Sequence, residues 1–91
     1  MRTVFKYDII MSDEFTIDMP IGTEVLCIQL QNNIPQLWAL VDTDTDKEKQ
    51  VYKFRFTGTG HHIDDSLELK YVGTVQLYND TLVFHLFQIL N

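Results

Sequence analysis

The sequence predicts an all-β domain: a small antiparallel sheet, folded into a sandwich or partial barrel of about six to seven strands, with one short helical turn. Three observations carry that expectation. Apolar residues recur at every second position along most of the chain, the period of a half-buried strand. Turn-forming pairs, Asn32-Asn33 and Asn79-Asp80, separate strand-like runs, because Asn and Asp tolerate the positive φ of tight hairpins. No segment of normal helix length carries a 3.6-residue apolar pattern.

The elements follow in order. Phe5, Tyr7 and Ile9 share one face of a first strand, with Lys6 and Asp8 on the other. Phe15, Ile17 and Met19 alternate with Glu14, Thr16 and Asp18 in a second, closed by Pro20 and Gly22. The third sets Leu26, Ile28 and Leu30 against Val25, Cys27, Gln29 and Gln31. A two-residue turn at Asn32-Asn33 then puts Cys27 opposite Trp38 and Ile28 opposite Leu37. Pro35, which lacks an N–H, predicts imperfect pairing beside that turn. Residues 37–41 are apolar on both faces, as expected of a strand that is central or covered on both sides.

A polar loop over residues 42–48 leads to a fifth strand with Tyr52, Phe54 and Phe56 inward and Lys53 and Arg55 outward. After a Gly-His loop, a short helical turn is expected around residues 64–67. The last two strands, 69–78 and 81–90, form a hairpin. A two-residue turn at Asn79-Asp80 sets Gly73 opposite Leu86, Thr74 opposite His85 and Val75 opposite Phe84. The final strand is apolar on both faces, so it must be central or have its outer face buried by another chain.

Ninety-one residues suffice for a single compact domain, residues 1–91, with one modest core, for which oligomerisation is a natural source of added stability. Thirteen acids against seven bases give a formal net charge of -6. That balance argues against direct binding of a nucleic acid or an anionic membrane, both of which want a basic face. A basic surface on a partner protein is the better match, with Asp42, Asp44, Asp46 and Glu48 as the candidate partner-binding loop. The single Cys27 excludes an intramolecular disulfide and a cysteine-rich zinc site, and reads as a core thiol in a reducing compartment. The opening residues lack an apolar signal-peptide stretch, and no run approaches the roughly 20 apolar residues of a membrane helix. The expectation is a soluble cytoplasmic protein.

Chemistry concentrates in one place. Gly58, Thr59, Gly60, His61 and His62 put two of the three histidines and two of the four glycines into one polar break, which marks a candidate ligand-binding loop. The glycines can adopt positive φ and turn backbone N–H groups toward an anion. Neither full phosphate-loop motif is present: Ile63 stands where a dinucleotide fingerprint wants glycine, and no Gly-Lys-Ser/Thr follows. His61 or His62 with Asp64 or Asp65 could form an oriented base, but no nucleophile is identifiable, so no catalytic residue is assigned. Adjacent histidines in extended chain point to opposite sides, which disfavours a shared metal ion. No metal and no cofactor are expected. His85, in an apolar strand, is expected to be half-buried and bonded to Thr74 or to backbone. Asp42, Asp44 and Asp46 open like a calcium loop, but Lys47 and Lys53 occupy the positions that need glycine and glutamate. Lys53, Arg55 and Thr57 share a face, while the aromatic residues of the same strand point the other way. A single-strand nucleic-acid platform wants both on one surface.

Val4-Phe5-Lys6-Tyr7-Asp8-Ile9, Phe15-Thr16-Ile17-Asp18-Met19-Pro20 and Leu37-Trp38-Ala39-Leu40-Val41-Asp42 resemble an uncharacterised family of short proteins. So do Gly58-Thr59-Gly60-His61, Tyr71-Val72-Gly73-Thr74 and Leu82-Val83-Phe84-His85-Leu86-Phe87. The resemblance implies a bacteriophage or prophage setting and therefore the cytoplasm of a bacterial host. It implies no activity. In that family a proline often follows the loop histidine, so His62 is a departure that gives His61 the stronger claim to a role. The functional expectation is a non-enzymatic binding protein that inhibits a host protein or defence complex. The alternative is a sponge that sequesters a nucleotide-like signal through the 58–62 loop, with Tyr78, Trp38 or Phe56 stacking a base. A hydrolase using His61 is a third, weaker alternative. A homodimer is possible.

Overall fold

The computed structural model describes residues 1–91. Seven strands are formed: β1 (Arg2–Asp8), β2 (Glu14–Pro20), β3 (Glu24–Gln31), β4 (Ile34–Asp42), β5 (Lys49–Gly58), β6 (Leu69–Leu77) and β7 (Leu82–Ile89). They make two antiparallel sheets, ordered β1-β4-β3 and β2-β5-β7-β6. Both strands that are apolar on two faces are central, β4 between β1 and β3, and β7 between β5 and β6. No helix is long and apolar enough to cross a membrane.

The inner faces of the two sheets share one core. Leu37, Ala39 and Val41 of β4 face Phe54 and Phe56 of β5, Met19 and Phe15 of β2, and Leu86 of β7 within a single buried cluster. Phe15 and Phe54, paired in register, stack at 5.2 Å between ring centroids. Tyr52 brings a hydroxyl into this core and satisfies it fully: it donates to Pro20 O at 2.9 Å and accepts from Thr23 N at 3.1 Å. Those two bonds fix the connection from β2 to β3 across the two sheets.

The hairpin registers follow the turn chemistry. Asn32 and Asn33 have φ of 53° and 63°, the doubly left-handed turn whose twist suits a hairpin. Cys27 accordingly faces Trp38, and Ile28 faces Leu37. Thr74 faces His85, Val75 faces Phe84 and Gly73 faces Leu86, as the Asn79-Asp80 turn requires.

Three local expectations need correction. Pairing beside the first turn is unbroken, with Gln31 opposite Ile34 and Leu30 opposite Pro35. Pro35 does no harm because the β1 ladder ends at Asp8–Gln36, so its missing N–H faces no partner strand. In β3 a bulge between Val25 and Cys27 makes Leu26 the extra residue, 43% exposed, and turns Val25 to the core instead. The helical element lies at Thr43–Thr45 rather than at residues 64–67. There Asp42 accepts from Asp44 N and caps a single 3-10 turn, whereas 64–67 closes only one reverse-turn bond, Leu67 N to Asp64 O.

Between the sheets, β3 runs against β6 without a hydrogen-bonded ladder. The two strands come close at Gly73, where a Cβ would lie 2.7 Å from Ile28 Cγ2 and 3.6 Å from Ile28 O. Glycine is required there by lack of room.

Candidate functional site

The 58–62 loop leaves the end of β5 and splits its side chains between the two sides of the sheet. Gly58 pairs with Phe84, on the same side as Phe56. The loop then reverses: Gly60 takes φ of 84°, and His61 N donates to Gly58 O at 3.1 Å. That reversal lays the His61 ring back over Gly58. A Cβ on Gly58 would sit 3.0 Å from His61 Cε1 and 3.1 Å from Nδ1, so the ring occupies the space a side chain would fill. His61 thus stands at the end of the core, beside Phe56 and Phe84, whose rings meet edge-on at 6.1 Å.

Two open clefts adjoin the ring. One, of about 220 Å³, is lined by Met11, Ser12, Asp13, Phe56, Gly58, His61 and Phe84. The other, of about 430 Å³, is lined by Gly58, Thr59, His61 and residues 81–84. His61 lines both. His62 lines neither and is exposed.

Thr59 takes the opposite side. Its hydroxyl lies 2.7 Å from His85 Nε2, while Thr74 Oγ1 lies 2.9 Å from His85 Nδ1. Tyr71 OH continues the chain to Thr74 Oγ1. Both imidazole nitrogens are therefore held by hydroxyls, which donate or accept as the tautomer demands. The Thr74–His85 bond was legible in the hairpin register; the link to Thr59 was not, because it depends on how the loop folds back.

Asp64 and Asp65, candidates for orienting a loop histidine, do otherwise. Asp64 Oδ1 accepts from Ser66 N at 2.9 Å, closing its own turn, and Asp65 is exposed. Trp38 and Tyr78 are also elsewhere. Trp38 lies on the outer face of the three-stranded sheet under Lys6 Nζ, and Tyr78 sits in the β6–β7 turn, 76% exposed. Of the three stacking candidates only Phe56 joins the loop.

A family model, "Domain of unknown function (DUF7352)", matches residues 1–90. The chain belongs to that family. No curated protein and no solved structure matches it. The DUF7352 match spans all seven strands and both candidate loops.

The acidic loop is a separate place on this DUF7352 domain. It enters β5 while the Gly-His loop leaves it, so a ten-residue strand holds the two about 30 Å apart. Asp42 and Asp44 are partly committed: the Met1 ammonium lies 2.8 Å from Asp44 Oδ2 and 3.4 Å from Asp42 Oδ1. Thr45 Oγ1 ties the loop to Ile21 O, and Asp46 follows the 3-10 turn as its C-cap. Asp44 and Glu48 are exposed. The Asp44 backbone N–H, followed by the Met1 ammonium and Arg2, holds the Asp42 carboxyl below the usual carboxylate range. Ser66 N–H does the same for Asp64. Groups with depressed folded values stabilise the fold above their unfolded pKa, near 3.9, and lose that contribution as pH falls through the folded value. NMR titration should therefore find Asp42 and Asp64 with midpoints below the ordinary aspartate value. Asp42→Asn should remove its share of the acid-side loss.

One surface was missed because its members come from three strands. On the outer face of the four-stranded sheet, Arg55 pairs in register with Phe87, and Phe87 with Tyr71, the two rings meeting at 5.7 Å. The aromatic neighbours of Arg55 are supplied by β7 and β6, which the alternation within β5 cannot reveal.

Proposed function

We propose that this protein works by binding, with the His61 rim as its contact site and a host macromolecule as its partner. The observation that carries the reading is the placement of His61: an exposed imidazole braced on Gly58, projecting between two open clefts beside Phe56 and Phe84. Open clefts with a polar rim and aromatic floor suit a side chain inserted from a partner surface, where a few aromatic anchors carry most of the affinity. The phage setting that the sequence resemblance implies makes a host protein or defence complex in the bacterial cytoplasm the expected target. Net charge of -6, with the loop of Asp42, Asp44, Asp46 and Glu48, favours a basic surface on that target.

A second reading is favoured by the cleft that unites His61 with Phe56 and Phe84: a nucleotide-like small molecule, its base against the rings and its phosphate on the imidazole. Native mass spectrometry on tagged protein from host lysate separates the two. His61→Ala should leave stability within about 0.5 kcal/mol, since the ring is exposed. Protein-sized added mass, lost in His61→Ala, supports the inhibitor; a few hundred daltons lost in that variant supports the sponge. Binding that survives both His61→Ala and joint neutralisation of the four loop acids overturns the reading.

A further inference from the structure

We propose that β1 is a homodimer edge, on which β1 of a second copy pairs antiparallel about a two-fold axis at Phe5. β1 is bonded on one side only, to β4. Thr43 N donates to Met1 O at 2.8 Å, one step beyond the Arg2–Asp42 pair. Bonded and non-bonded pairs alternate along an antiparallel ladder. Odd-numbered residues therefore direct their backbone groups to β4, and Arg2, Val4, Lys6 and Asp8 direct theirs to the open edge.

This edge is not guarded. A lysine on an edge strand commonly blocks pairing by another chain. Lys6 instead reaches across β4: its Nζ lies 2.7 Å from Gln31 Oε1 on β3 and 5.9 Å from the Trp38 ring centroid. Val4 remains 51% exposed on one face and Phe5 38% exposed on the other.

Over its full length the strand is complementary to itself in one register; Lys6 against Asp8, with Tyr7 on the axis, would pair three residues only. With Phe5 opposite Phe5 of the second copy, Arg2 meets Asp8, Thr3 meets Tyr7 and Val4 meets Lys6, each contact made twice by symmetry. Opposite charges across a strand pair stabilise it and like charges oppose it. Sliding two residues one way sets Arg2 against Lys6 of the second copy. Sliding two the other way sets Lys6 against Lys6. A one-residue slide is excluded because it points backbone groups and side-chain faces wrongly. Charge thus selects the Phe5-centred register, which joins two three-stranded sheets into one of six.

Seven paired residues make a small interface, so a dissociation constant on the order of micromolar is expected. Sedimentation of the full chain over about 1–500 μM should follow a monomer–dimer equilibrium. Asp8→Arg and Arg2→Asp should each weaken it about tenfold or more, and the combined swap should restore it. Both residues are exposed, so folding should persist, as circular dichroism will check. Phe5→Cys in a Cys27→Ser background should cross-link under mild oxidation, because the two-fold brings position 5 of each copy face to face. A chain monomeric throughout overturns the proposal. So does a dimer indifferent to both single reversals, or one that the combined swap fails to restore. None of these outcomes bears on the His61 rim.

Discussion

Phe54→Ala is expected to remove about 3–5 kcal/mol of stability, the largest loss from any single truncation in this chain. Phe54 is wholly buried on β5, a strand with a neighbour on each side, and its ring stacks on Phe15 at 5.2 Å. Deleting the ring forfeits its transfer free energy and leaves a cavity. The surrounding strands cannot collapse into it without breaking the β2–β5 or β5–β7 ladder. A domain of this size has roughly 5–15 kcal/mol in total, so the variant should stand near the limit of folding. Urea denaturation measures the loss directly. Phe54→Leu, which keeps most of the volume, should cost far less. Lys53→Ala, one residue away on the exposed face, should stay within about 0.5 kcal/mol. A loss below about 1 kcal/mol for Phe54→Ala would mean that the shared core does not hold the two sheets together.

The period-two pattern made Phe54 legible as a core residue. The departure from it, apolar residues on both faces, marked β4 and β7 as strands to be covered on both sides; both are central, where the final strand could also have met another chain. Turn chemistry did as well for register, because Asn32-Asn33 and Asn79-Asp80 each fix which residues face across a hairpin. Strict alternation failed at Leu26, where a bulge inserts one residue and puts Val25, not Leu26, on the core face with Ile28 and Leu30; no residue in Glu24-Val25-Leu26-Cys27 signals it. The helical turn was misplaced because Asp42, read as one charge in a loop, acts as a cap for the turn that follows it. At the candidate site, the cluster of glycine and histidine marked the loop, but not the division of labour within it. That His61 folds onto Gly58 while Thr59 reaches His85 depends on a reversal at Gly60 and on β6 and β7 lying alongside. Sequence neighbours alone do not report contacts made across three strands. For the same reason Phe87 and Tyr71 could not be foreseen beside Arg55.

Gly73→Ala tests the contact that no ladder accounts for. β3 and β6 face each other across the junction of the two sheets, and the Gly73 backbone comes so close to Ile28 that a new Cβ would meet Cγ2 at 2.7 Å. Ile28 is 4% exposed and β-branched, so its methyl cannot swing aside without leaving its preferred rotamer. The strain must move β6 away from β3. Overpacking of this kind costs about 1–3 kcal/mol, and at this chain length each 1 kcal/mol lowers Tm by roughly 4–8 °C. Gly73→Val should cost more. Ile28→Ala, destabilising by itself, should make Gly73→Ala nearly free, and the cycle of the two substitutions should show clear coupling. The same displacement reaches the candidate site. Thr74, the next residue, holds His85 Nδ1, so Gly73→Ala should loosen that bond and shift the His85 ring resonances while leaving His62 unchanged. A melting temperature that Gly73→Ala leaves unaltered would mean that the sheets sit farther apart at this seam. A large drop with additive Ile28→Ala would move the strain to another neighbour. Only a drop relieved at Ile28 identifies the close approach of β3 and β6 as the reason this position is glycine.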